Sequence, residues 1–562
     1  MKKIVLSALM ALAAVAAAAP QALAQTTCPA APTPIVVSGS ITANTTWTNN
    51  NIYLLQGFVF VEAGATLTIQ PGTIIKGDQA SKGTLTIKQG ARIDARGTAT
   101  QPIVFTSNQP AGSRARGDWG GLIILGRATQ NIPGTAAQPL PKIEGGLTPD
   151  TYFGGNDDND NSGTLQYVRI EFPGVAFTTD NEINGLTLGG VGAGTTIDHI
   201  QVSYSGDDSY EWFGGAVNAK YLIAFRGIDD EWDTDNGFHG KVQFGVSLRD
   251  PNVADASGSN AFESDNDANG SNNSPQTSAI FSNMSNFVAP TSGTLNTNYK
   301  RAMHIRRNSA LSIFNSVVAG YPVGLLLDEG TAPFSATNSA VNAAAGTLAL
   351  KNNVFAGFAR NAVATRVNGS TYNVKQFLGA NNDTTSTVAS LSLNANNFNL
   401  TAPGFVPAAT SPLGSGASFT DAKLSNAFFT PVTYRGAFAP AGTPNADWTA
   451  GWTNFNPQIT CYNLAGQTLA AKAPANKSLE LGIYPNPVAG AGKLSFTVAT
   501  ATTATVRVLD ATGRLVATVA AGQKLAAGPQ LIALPAGLKP GLYMATVATA
   551  ETTQSVRFVV AQ

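Results

Sequence analysis

Residues 227–240, GIDDEWDTDNGFHG, set five carboxylates into seven positions: Asp229, Asp230, Glu231, Asp233 and Asp235. The chain as a whole is only 12% charged, so the cluster stands out. A second acidic pair, Asp207 and Asp208, comes 22 residues earlier, followed by Tyr210, Glu211, Trp212 and Phe213. Trp232 and Phe238 interleave the later cluster in the same way. Carboxylates beside flat aromatic faces suit a sugar, whose C–H face stacks and whose hydroxyls hydrogen-bond. The glycan-binding candidates are therefore Asp207, Asp208, Tyr210, Glu211, Trp212, Asp229, Asp230, Trp232, Asp233 and Asp235. The competing structural reading is that these aromatics cap a core.

Two further stretches have the chemistry of a hard cation. NDDNDNSG spaces Asp158, Asp160 and Ser162 before Gly163, and ESDNDANG spaces Asp265, Asp267 and Asn269 before Gly270. Alternate oxygen-bearing side chains before a glycine turn are what calcium requires. An EF-hand is excluded, because its twelfth position falls on Arg169 in one case and Gln276 in the other. Calcium is the candidate cofactor, with no cofactor as the alternative. The opposing account is that Asp, Asn and Gly populate turns for conformational reasons alone.

A catalytic alternative is polysaccharide cleavage, by a carboxylate pair or by proton abstraction beside a bound calcium. The basic candidates for that chemistry are Arg226, His239, Lys241, His304, Arg306 and Arg307. His199 lies on an alternating strand and reads as structural. Three histidines without zinc spacing argue against zinc hydrolysis. No residue is assigned as catalytic.

These residues must be held by strands. GATLTIQPGTIIKG and GTLTIKQGARIDARG repeat short alternating runs, with Leu67, Ile69 and Ile74 recurring as Leu85, Ile87 and Ile93 about 18 residues on. A looser set ends in glycine: LQYVRIEFPG, IDHIQVSYSG, AKYLIAFRG, LSIFNSVVAG and LALKNNVFAG. Between the second and third of these the offset is 22, carrying Ile200 onto Leu222, Asp208 onto Asp230 and Glu211 onto Asp233. Units of strand and turn at such periods predict a solenoid, in which each rung buries its apolar face on the next. A large β-sandwich is the alternative. Residues 128–163 and 250–275 read as loops off the rungs.

The 562 residues carry 34 basic and 34 acidic side chains, a balance that argues against nucleic acid as a partner. Lys2, Lys3, an apolar run and Ala22-Leu23-Ala24 form a secretory signal peptide over 1–24. No later stretch is apolar enough for a membrane helix. Cys28 and Cys461 are the two cysteines. An oxidising compartment permits a bridge between them, but only if the C-terminal part of the solenoid folds back.

The segments LTIQPGTIIKG, GTLTIKQGARIDARGTATQPIVFTS, GDWGGLIILG and VTYRGAFAP…WTAGWTNFNPQ resemble a family of secreted right-handed parallel β-helix proteins of Bacteroidota. That resemblance implies the fold over 25–465 and little about function. Residues 466–480 read as a linker. The last 82 residues alternate as about seven short strands, the pattern of a small antiparallel sandwich. Tyr484-Pro485-Asn486-Pro487, the turn from Asp510 to Val516, Gly541-Leu542-Tyr543 and the closing VRFVV resemble the type A C-terminal sorting domain of the type IX secretion system. The resemblance implies that 481–562 is an address read by the secretion machinery and that the protein is displayed on, or released from, the outer-membrane surface. The resulting expectation is an all-β, surface-displayed protein that binds glycans or a neighbouring surface layer. A lyase or hydrolase, or a purely structural stalk, is the alternative.

Overall fold

The computed structural model describes residues 28–561 except 137, 145–150, 179–180, 292, 329–337, 359–371, 468, 470–478, 480, 489, 499–500, 512–513, 527 and 550–552. The expected signal peptide, most of the expected linker and two residues of the 510–516 turn lie outside the described residues. The chain divides into two compact units, residues 1–469 and 470–562.

The first unit is a right-handed parallel β-helix with three ladders of strands. One ladder runs from Thr45–Trp47 through Thr66–Ile69 to Arg92–Arg96; a second runs from Ile35–Ile41 through Ile52–Val61 and Ile74–Gly77 to Ile103–Ser107. From residue 163 onward single long strands serve both: Gly163–Glu171, Thr196–Ser203, Asn218–Phe225, Lys241–Arg249 and Ile280–Val288 stack in register. Each long strand turns a corner at one residue with left-handed backbone: Tyr167, His199, Tyr221, Phe244 and Asn283, φ 49–63°. Non-glycine residues pay about 1–2 kcal/mol for that conformation. Stacking offsets the cost, with ring centroids 4.3 Å apart for Tyr167–His199, 4.4 Å for His199–Tyr221 and 5.2 Å for Tyr221–Phe244. His199 is thus a corner residue.

The third ladder holds Thr84–Ile87, Gly121–Leu125, Leu186–Gly189, Tyr210–Phe213, Trp232–Asp235, Phe262–Ser264, Met303–Arg306 and Leu325–Asp328. Side chains facing inward from all three ladders form one continuous buried core. The glycine stops mark close backbone approach: a Cβ on Gly174 would lie 2.4 Å from the Gly206 backbone nitrogen.

The 22-residue offset holds, with Ile200 paired to Leu222. The 18-residue offset does not. Leu67 pairs with Ile93, and Leu85 pairs with Val59, each 26 residues apart. A coil there contains three strands, and the shorter interval matched a strand on one face to a strand on another. Cys28 and Cys461 are joined by a disulfide. The bridge exists because residues 389–467 run back along the outside of the coils, held from both the first ladder and the second.

The second unit is a two-sheet sandwich. Gly482–Tyr484, Lys493–Val498 and Gly528–Ala533 form one sheet; Leu515–Leu525, Thr502–Asp510, Gly541–Thr549 and Thr553–Val560 form the other. Leu494, Phe496, Val506, Val508, Ala545, Val547 and Phe558 fill the space between them. Among the described residues no helix is long and apolar enough to cross a membrane.

Candidate functional site: an acidic trough on the third ladder

Strand alternation decides which of the predicted side chains are presented. In Tyr210–Phe213 and Trp232–Asp235 the side chains of Tyr210, Trp212 and Trp232 point inward and are fully buried, as is Phe238. Tyr210 stacks on Trp232 at 5.1 Å and Trp212 on Phe238 at 5.4 Å. These aromatics are core, and the proposed stacking platform for sugar is corrected accordingly. With a period of two, a face cannot present both Trp212 and Glu211.

The outward positions form a column. Thr187, Glu211, Asp233, Glu263 and His304 occupy the same register on successive rungs, spaced about 4.8 Å apart. The turns entering these strands add Asp207, Asp208, Asp229 and Asp230. Glu231, next in sequence, faces the other way: its carboxylate lies 3.1 Å from Arg249 Nε, with both side chains buried. The loop after Arg249 closes one side with Asp255 and Ser257.

Together these residues line a trough of about 550 Å³. Ten of its described lining residues are carboxylates, including Glu144, Glu182 and Asp255, against Arg301, His304 and Arg306. Hydrogen bonds fix much of the wall. Asp208 Oδ1 accepts from the Asp230 backbone N–H at 2.7 Å, Asp229 Oδ2 from Ser257 Oγ at 2.9 Å, and Glu211 Oε2 from Asn184 Nδ2. His304 Nδ1 lies 3.0 Å from Glu263 Oε2, and Arg306 spans Glu263 and Asp265.

Burial and mutual repulsion hold the protons on this wall. Desolvation, then neighbouring carboxylates, push Asp207, Asp208, Glu211 and Asp233 well above the usual carboxylate range. Asp229 is raised by burial and by Asp230. Asp230 is pushed up to about 8 by burial and the charge of Glu263. Glu263 goes the opposite way: burial opposes its ionisation, but the His304 hydrogen bond and the Arg306 charge outweigh it and hold Glu263 at about 2.

Two groups bring three carboxylate oxygens within 4.8 Å of one another: Asp207, Asp208 and Asp229, and Asp208, Glu211 and Asp233. Asp208 belongs to both. These are the positions that could hold a divalent cation, and the two predicted calcium loops are not among them. Asp158 Oδ1 accepts from Thr129 N and Oγ1 at 2.9 and 2.7 Å, and Asp160 meets Ser162 Oγ at 3.3 Å. Asp265 is paired with Arg306 and Arg307, each at 2.8 Å. Asp267 accepts from the backbone of Asn269 and Ser271 at 2.8 and 3.2 Å. Here the oxygens of Asp158, Asp160, Asp265 and Asp267 close turns or neutralise arginines, and Asp158, Asp160, Ser162, Asp265, Asp267 and Asn269 are not brought together as carboxylate triads. Asp235 lies outside the trough and accepts from Asn236 N at 2.6 Å.

Sequence reasoning missed Glu263, Asn184, Asp255, Glu144 and Glu182. Glu263 follows Asp233 by 30 residues, because a loop is inserted into that coil, so no fixed period points to it. Of the basic candidates, His304 and Arg306 line the trough, while Arg226, His239, Lys241 and Arg307 do not.

In the second unit the predicted address residues converge on the final strand. Gly541, Leu542 and Tyr543 pair with Val560, Val559 and Phe558. Asn486 Oδ1 accepts from Val559 N at 3.0 Å. Tyr484, followed by Pro485, is 77% exposed, and Pro487 closes the motif. The final strand thus pairs along its length with Gly541–Thr549, and Val488 bridges its end on the other side, donating to Val559 O at 2.7 Å and accepting from Ala561 N at 2.9 Å.

A three-ladder β-helix with a polar trough, followed by a sandwich of this kind, defines a secreted, surface-directed β-helix protein. Residues 39–453 match the pectate-lyase-like beta helix domain family, and the chain belongs to it. Residues 482–561 match the secretion system C-terminal sorting domain. The sorting domain supports interaction with the type IX secretion machinery and a secreted or cell-surface location. Among solved structures, one match is PorZ, an essential bacterial surface component of the type-IX secretion system of Porphyromonas gingivalis; identity is 17% over 16% of this chain and 13% of that one, TM-score 0.13. Another is the Dettilon tailspike protein, at 10% identity over 57% of this chain and 61% of that one, TM-score 0.22. The chain thus spans less than two thirds of either. No curated protein matches the sequence.

Proposed function

We propose that the β-helix is a glycan-binding surface module whose trough works as a divalent-cation site, calcium being the fitting ion. The observation that supports this most is the sharing of Asp208 between two carboxylate triads. So many acids against three basic side chains must be neutralised by protons or by cations. At the near-millimolar calcium of extracellular fluids, a hard cation with oxygen ligands is the natural partner. Sugar hydroxyls would complete its coordination, a mode of recognition that needs no exposed aromatic. A glycan array probed with and without a chelator tests the reading. Binding that needs calcium and disappears in Asp208→Asn supports it, and chelator-insensitive binding refutes it.

One observation favours a second reading, polysaccharide cleavage. Asp233 and Glu263 are neighbours in one column with opposite proton affinities, the division an acid–base pair needs. Release of reducing or unsaturated ends from a polysaccharide panel, lost in Asp233→Asn, would establish it.

A further inference from the structure

The described residues of 389–469 have little regular structure beyond the short turns Ala389–Leu391, Pro412–Gly414 and Ala422–Leu424. Outward side chains of the β-helix nevertheless hold it at successive coils. Three amides clasp it twice, donating to a carbonyl and accepting from an N–H of the same residue. Asn315 holds Ser418 at 3.0 and 2.9 Å, Gln243 holds Thr430 at 2.9 and 2.8 Å, and Gln201 holds Asn454 at 2.8 and 2.9 Å. Strap residues 418, 430 and 454 thus meet coil residues 315, 243 and 201, so the segment runs antiparallel to the direction of coiling.

Toward the first coils the attachment changes character. Arg169 and Arg114 donate to strap carbonyls, at 3.2 Å to Trp452 O and 2.8 Å to Thr460 O, Tyr462 donates back to Glu171 Oε1 at 2.7 Å, and Tyr462 and Leu469 pack against Ile52, Ile74 and Val104. The strap ends at Cys461, bonded to Cys28, and at Asn463, which donates to Pro29 O at 2.9 Å. What it reaches there is an open edge. Among the described residues, the strand Ile35–Ile41 pairs on one side only, with Ile52–Val61, and Ile35 and Val36 are 46% and 52% exposed. An unprotected first strand invites fraying and pairing with other chains.

We propose that this strap is a redox-set latch: the Cys28–Cys461 bond fastens its end to the first coil, and that junction opens when the bond is reduced. In forming the bond, two thiols lose two protons and two electrons. The disulfide of a thiol–disulfide exchange protein takes these up and becomes a dithiol. Where thiols are kept reduced the latch stays open. It closes once the chain has left the cytoplasm, so completion of the rod is coupled to export. The clasps by amides and the packing of Tyr462 hold the strap on the coils in either state, whereas what ties Cys461 and Asn463 to residues 28–29 is the covalent bond and one hydrogen bond.

Hydrogen–deuterium exchange on the full chain tests this, comparing the folded, oxidised protein with the same protein reduced by a phosphine and with the Cys28→Ser/Cys461→Ser variant. Using prefolded protein keeps a folding failure of the variant from obscuring the result. Reduction is expected to speed exchange about tenfold or more in peptides covering 28–41, with less than about a twofold change over 196–306. A Gln201→Ala variant with the bond intact should speed exchange around 452–456 and leave 28–41 protected. Unchanged protection over 28–41 after reduction, or equal acceleration along the whole β-helix, would overturn the proposal.

Discussion

Asp230 and Glu231 are neighbours in sequence and opposites in role. Asp230 lines the trough, while Glu231 turns inward to Arg249 and accepts from Tyr321 at 3.2 Å. Glu231→Gln would leave Arg249 buried without its counter-charge, a loss of about 3–5 kcal/mol measurable by chemical denaturation. Asp208→Asn should act in the other direction. It keeps an oxygen for the Asp230 N–H and cannot ionise as pH rises, so in chelator toward pH 8 the variant should melt higher than the parent while losing the calcium-induced rise in melting temperature. The trough also fixes a pH dependence. Asp230 at about 8, and its raised neighbours, bind protons in the folded state that an unfolded chain would release near pH 4. In chelator the stability they contribute is full below about pH 4 and is lost as pH rises through about 8. Glu263 has the reverse sign: its contribution is present above about pH 4.5 and is lost as pH falls toward 2. Melting curves from pH 5 to 8 should therefore slope downward in chelator and flatten in calcium, which replaces the protons. The carboxylates were legible as a cluster because charge is scarce in this chain. Which oxygens were already committed was not, since that depends on turn donors such as Thr129 N and on Arg306, distant in sequence.

At the scale of the strand, alternation overrides the appearance of a binding motif. YEWF and WDTD read as aromatics mixed with acids, but folding sorts them to opposite faces: Trp212 and Trp232 to the core, Glu211 and Asp233 to the trough. Trp212→Ala should cost about 3–5 kcal/mol of stability, the penalty of a large core truncation. At a temperature where the variant is folded, its calcium affinity should match the parent's within a few-fold. The 22-residue register was readable because the coils joining 200 to 222 to 245 are short and uninterrupted. The first coils misled because three strands per coil give several near-equal spacings, and Leu67 finds Ile93 rather than Leu85. Glu263 escaped notice for the opposite reason, an insertion that breaks the period while the ladder continues beneath it.

Across the first unit, the corner residues, the core and the strap make one continuous β-helix. The export address at the C-terminus was visible in YPNP, GLY and the closing apolar strand, because those motifs are local. The strap was not visible: residues 389–469 have no period, and their partners are single side chains on coils as far back as Arg114. Cys28 and Cys461 were the only hint that the chain returns. Deleting 481–562 should leave the β-helix folded but prevent its appearance on the cell surface, checked by surface proteolysis of intact cells.

The acids that successive rungs bring together form one cation-loaded surface; titration calorimetry of calcium into the full-length protein at pH 7.5 addresses that claim most directly. Saturable uptake with a dissociation constant of about 1 mM or tighter, abolished in Asp208→Asn and retained in Asp158→Asn, is the result expected. Absence of uptake, or uptake lost in Asp158→Asn and kept in Asp208→Asn, would contradict the account.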